Sequence, residues 1–122
     1  MLEQVTAISC AQLLGEVQQR AFEGYRFVTA TCVDNGNDTF DLLYHFDREL
    51  QLVHYRLTVG KTEHVPSISR IFLCALLVEN EIKELFGVQI TDIAIDYGGH
   101  LLLSDGAPST PMAGGQITIE RR

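Results

Sequence analysis

The residues that could do chemistry cluster at one place. Glu79-Asn80-Glu81-Ile82-Lys83-Glu84-Leu85-Phe86-Gly87-Val88 sets three carboxylates and a lysine on the last turns of an expected helix. Glycine at the stop suits that end, because it enters the left-handed conformation at little cost. Glu79 and Lys83 are four apart in the order that favours an ion pair on an outer helix face. The carboxylates spread over more than one face, and no nucleophile accompanies them. They therefore point to polar recognition of a partner, not to acid–base catalysis, and no catalytic residue is assigned.

Other candidates are weaker. His45, His54, His64 and His100 show neither the i, i+4 helical spacing nor the Cys pairs that a metal site uses. Cys10, Cys32 and Cys74 are odd in number and widely spaced, which suits reduced thiols better than a disulfide framework. Only Cys10, in the first turn of a helix, has a reason for a lowered pKa. Asp96-Tyr97-Gly98-Gly99-His100 lacks the spacing of a phosphate-binding loop. No cofactor and no metal is expected in this chain.

Composition narrows the field further. A length of 122 residues with 46% hydrophobic content fits one domain with a real core. A net charge of −7 argues against nucleic acid or an anionic membrane surface as partner. No run of apolar residues is long enough to cross a bilayer, and no basic stretch with an apolar core marks a secretory leader.

The positioning elements follow from pattern. Ser9 and Gln12 form a capping box, and Ala11, Leu14, Val17, Ala21 and Phe22 recur helically up to Gly24. Tyr25–Val33, Thr39–Asp47 and Leu50–Gly60 read as three antiparallel strands, the first two joined by the turn cluster Asp34–Asp38. With Arg48-Glu49 as the second turn, Phe40 pairs with Leu57, Leu42 with Tyr55, Tyr44 with Val53 and Asp41 with Arg56. Val28, Ala30 and Cys32 then lie beside Tyr44, Leu42 and Phe40, and Phe27 falls on the outer face. There His45 and His54 share a side without facing each other. Pro66-Ser67 opens a second helix, with Ser67 as its cap, running to about Phe86. Its buried stripe is Ile71, Ala75, Val78, Ile82 and Leu85. Ile90–Ile95 is a candidate fourth strand, and Ile117–Ile119 a candidate edge strand. The expectation is an α+β fold: a mainly antiparallel sheet, a three-stranded meander plus a short fourth strand, with two helices on one face. Residues 1–105 form that domain, and 106–122 a Gly/Pro-rich tail.

The run from Glu79 to Val88 resembles the signature of the thirty-kilodalton subunit of respiratory complex I: Glu-Arg-Glu, an apolar residue, a variable one, an acid, an apolar residue, then Phe-Gly and Ile or Val. Val65-Pro66-Ser67-Ile68-Ser69 and Ala75 resemble the family's helix entry, and the order of elements agrees over about residues 9–105. Asn80 stands where the family has Arg, and Gly99-His100-Leu101 where it has Gly-His-Pro. With the short length, this is most similar to the small homologue in Ech-type energy-converting nickel–iron hydrogenases. The resemblance implies a non-catalytic subunit without cofactor, peripheral on the cytoplasmic face of the membrane. It would pack against a large catalytic subunit and a small iron–sulfur subunit. Glu79, Glu81, Glu84, Phe86 and Gly87 would belong to that contact. The rival readings are a small thiol- or metal-dependent enzyme and a self-assembling adaptor.

Overall fold

The computed structural model describes residues 5–94. Strand β1 (Val5–Ile8) leads into helix α1 (Cys10–Phe22). Three long strands follow: β2 (Arg26–Asp34), β3 (Thr39–Arg48) and β4 (Gln51–Gly60). Then come β5 (His64–Pro66), helix α2 (Ala75–Phe86) and β6 (Gln89–Thr91). The main sheet has the order β1-β4-β3-β2, and β5 and β6 form a separate parallel pair. The fold is α+β as expected, but the sheet is mixed: β1, unforeseen, runs parallel to β4. The stretch expected as a fourth strand contributes only β6, outside the main sheet. The 106–122 tail and the Ile117–Ile119 strand lie outside the described residues.

The meander forms with a corrected register. Tyr44 pairs with Tyr55, Leu42 with Leu57, Phe40 with Val59 and Asp41 with Thr58, each two residues from the expected partner. Arg48 pairs with Gln51, so the turn is Glu49-Leu50, both left-handed at φ 49° and 71°. A two-residue slip keeps every side chain on its own face, so hydrophobic alternation cannot distinguish the two registers. The β2–β3 ladder is displaced likewise, with Ala30 opposite Tyr44 and Cys32 opposite Leu42. A bulge between Phe27 and Thr29 then exposes Val28 and turns Phe27 to the core side. Phe27 meets Phe46 edge-on at 5.7 Å between ring centroids.

One face of the sheet carries the core: Ala30, Cys32, Phe40, Leu42, Tyr44, Phe46, Tyr55, Leu57 and Val59 are all buried. Helix α1 begins as the capping box requires, the Ser9 N–H donating to Gln12 Oε1 at 2.9 Å. Gly24 closes its C-terminal turn at φ 87°. Its buried line is Leu13 and Val17, while Leu14 and Phe22 face outward, so the helix is rotated from the expected stripe. Helix α2 begins at Ala75, nine residues after Pro66, and Ser67 does not cap it. Serine hydroxyls can satisfy backbone groups locally and so compete with the helical ladder. Here the Ser69 N–H donates to Ser67 Oγ at 3.0 Å, and residues 69–74 stay in turns.

Candidate functional site

Helix α2 is buried around most of its circumference. Ala75, Val78, Ile82 and Phe86 are interior, and the Phe86 ring meets Phe40 edge-on at 6.1 Å. Gly87 follows at φ 82°, and its N–H caps the Lys83 carbonyl at 3.0 Å, the predicted helix stop. Within this shell sits Glu79, whose position continues the spacing Ala75, Glu79, Ile82, Phe86. That placement was legible in the helical period. It corrects the expected outer-face Glu79–Lys83 pair.

Glu79 is 1% exposed and closes a chain of hydrogen bonds. The Ala94 N–H donates to Ser69 Oγ at 2.8 Å, and Ser69 and Ser67 hydroxyls meet at 2.8 Å. The Ser67 hydroxyl donates to Glu79 Oε1 at 2.5 Å, and the Ile68 N–H to Oε2 at 2.9 Å. With Ser67 committed to Glu79, its other bond makes Ser69 the donor between the hydroxyls. Burial pushes the Glu79 carboxyl up to about 7, while the Ser67 and Ile68 bonds hold it back. The carboxyl thus ties α2 to the strand-to-helix segment and to the chain after β6. Nothing in the arrangement offers an open reacting position. Sequence reasoning missed Ser67 and Ser69 as its partners. Their signal was two hydroxyls flanking Ile68, which is itself fully buried.

Three of the other proposed contact residues are also buried, and Gly87 is half-buried. Glu81 is 8%, Glu84 3% and Phe86 1% exposed, and Asn80 donates to the Leu76 carbonyl at 2.8 Å. The Phe86 ring, expected to belong to a partner contact, is core, because its register on α2 aims it at Phe40. What the helix does present outward is Leu77, and the turn leading into it exposes Leu73.

The remaining candidates resolve as follows. The Cys10 thiol is raised to about 11 by burial and by Glu63, whose Oε2 accepts from Sγ at 3.4 Å. This reverses the lowered value expected from the helix terminus. Cys32 is buried and Cys74 exposed. His45 and His54, expected to be offset, are opposite each other on β3 and β4 because of the register correction. Among the described residues no group of three or more His, Cys, Asp or Glu side chains could hold a metal ion. Among them also, no helix is long and apolar enough to cross a membrane.

Comparison with known proteins decides the family. The model of the respiratory-chain NADH dehydrogenase 30 kDa subunit matches residues 3–113. This chain belongs to that family. The fold of this 30 kDa-type subunit is shared with a solved chain from the membrane-bound sulfane sulfur reductase, an archaeal respiratory membrane complex. The TM-score is 0.75 at 15% identity, covering 92% of this chain and 71% of the other. At that identity the likeness concerns fold alone. No curated protein matches the sequence.

Proposed function

We propose that this chain is a non-catalytic structural subunit of a membrane-associated, complex I-like oxidoreductase, of the energy-converting hydrogenase or NADH dehydrogenase kind. The observation that carries this reading is the family match, which spans both helices and every strand. The chain packs against a large catalytic subunit and a small iron–sulfur subunit, peripheral on the inner membrane face, and supports electron transfer without holding a cofactor itself. Glu79, Glu81, Glu84, Phe86 and Gly87 serve that contact from behind, by fixing the position of α2. Leu77 on the first turn of α2 and Leu73 in the turn just before it supply the surface that meets the partner, since exposed apolar side chains suit the dry centre of an interface. The raised Cys10 thiol speaks against the rival thiol enzyme.

The test is affinity purification of the tagged full-length chain from native membranes under mild detergent. Recovery of a large catalytic subunit together with an iron–sulfur subunit supports the proposal. A chain recovered alone, or only with copies of itself, refutes it.

A further inference from the structure

Resting on the docking reading above, we propose that the β3–β4 turn and the end of α1 belong to the same surface as Leu73 and Leu77. Its occupant is an apolar face of a partner subunit that carries a lysine or arginine opposite Glu49. Leu50, in that turn, is 96% exposed, and Phe22, the last residue of α1, is 88% exposed. Leu52, exposed as well, pairs with Asp47 one step inside the Arg48–Gln51 pair that closes the hairpin. Arg48 fastens the turn to the helix end: its Nη1–H donates to the carbonyl of Glu23, next to Phe22, at 2.9 Å. The same guanidinium lies 5.0 Å from the centre of the Tyr25 ring. The segment before α2 reaches this end too, since the Phe72 ring lies 5.5 Å from Phe46 and 6.4 Å from Phe27. Leu73 follows it directly, so large apolar side chains left in water gather at one end of the sheet.

The isolated chain gains nothing from this turn. Glu49 and Leu50 both hold the left-handed conformation, at φ 49° and 71°, which strains any residue with a side chain. The strain serves only to present a leucine to water, and burial against a partner turns that exposure into a favourable term. Charge identifies the partner. Arg26 Nε and Nη2 donate to the two Asp47 carboxylate oxygens at 3.1 and 2.9 Å, and Arg20 meets Glu23 at 3.2 Å. Glu49, exposed beside Leu50, has no ion-pair partner among the described residues. An apolar neighbour with one basic side chain at its rim completes this arrangement. A second copy of the chain does not, because a two-fold axis at this end sets Glu49 against its own equivalent. An anionic bilayer is repelled by the net charge of −7, and Arg20 and Arg26 are already held by carboxylates.

The test repeats the purification from native membranes with Leu50→Gly, Phe22→Ser and Glu49→Lys in the full-length chain. Leu50→Gly relieves the left-handed strain, so the isolated variant should melt at or above wild type while its recovery of partner subunits falls about tenfold. Phe22→Ser and Glu49→Lys should each lower recovery without lowering the melting temperature. Benzoylphenylalanine placed at Leu50 or at Leu73 should photo-cross-link to one and the same partner subunit, in an apolar peptide containing lysine or arginine. If wild type recovers its partners and Leu50→Gly and Phe22→Ser recover them in full, this surface is wrong while the docking reading stands. Full recovery by Glu49→Lys overturns the basic residue assigned to the partner. Cross-links only to another copy of the chain overturn the proposal, as does binding to phosphatidylglycerol-containing vesicles that Leu50→Gly abolishes. A wild-type chain recovered alone overturns both readings.

Discussion

Replacing Glu79 with Gln should flatten the pH dependence of stability. In the folded chain the Glu79 carboxyl is raised from 4.5 to about 7, chiefly by burial. The native state therefore holds this proton where the unfolded chain has released it. Its stabilising effect is fully present below about pH 4.5 and is lost as pH rises through about 7. The difference between those two values corresponds to about 3 kcal/mol. Gln can occupy the site: its carbonyl accepts from Ile68 N–H, and its amide donates to Ser67 Oγ, which turns its own hydrogen toward Ser69. That rearrangement carries a fixed cost that does not vary with pH. Denaturant unfolding of wild type and Glu79→Gln at half-unit steps from pH 5 to 8 isolates the effect, because other titrating groups cancel in the difference. The variant should gain about 2–3 kcal/mol relative to wild type across that range. A difference constant to within about 0.5 kcal/mol would show that Glu79 keeps one charge state throughout, and the burial argument would fail.

Three further outcomes are expected. Leu77→Asp changes an exposed residue in the first turn of α2, where a carboxylate suits the helix terminus, so stability should move by less than about 0.5 kcal/mol while co-purification with partner subunits is lost. Phe86→Ala empties the ring's place against Phe40 and should cost about 3–5 kcal/mol by denaturant unfolding, whether or not partners are present. Leu50→Gly, at a 96% exposed turn position with φ 71°, should raise the melting temperature: left-handed strain of about 1–2 kcal/mol is relieved against up to about 1 kcal/mol of added backbone entropy.

Much of the architecture was legible because its determinants are local. The Ser9–Gln12 box, Gly24 and Gly87 mark helix ends through requirements of single residues. The alternation of Phe40, Leu42 and Tyr44 assigned faces correctly, since face depends only on parity. Register was illegible for the same reason. It is set by the turn, and Arg48-Glu49-Leu50 contains none of the Gly or Asn that normally announces left-handed positions. An error of two residues there was enough to separate His45 from His54 on paper. Ser67 was misread because its hydroxyl fits a helix cap equally well as a partner for a carboxylate twelve residues later.

The signature segment was recognised correctly, yet its exposure was not, and the reason bears on how it acts. A carboxylate in sequence reads as a surface group because burying one is costly unless hydrogen bonds compensate. Glu79 meets that condition through Ser67 and Ile68, residues that no local pattern connects to it. A helix that buries Glu79 in this way does not offer that charge to a partner. What it can do is hold Leu73 and Leu77 in a fixed place, with Glu79 bonded to the segment leading into it and Gly87 ending it. Such a contact would be sensitive to the ionisation of a group that the partner never touches. Assembly should then weaken as pH rises past about 7 in wild type but not in Glu79→Gln, readable as subunit retention in pull-downs at pH 6 and 8. Equal retention at both values would show that the buried carboxyl and the outer apolar ridge are uncoupled.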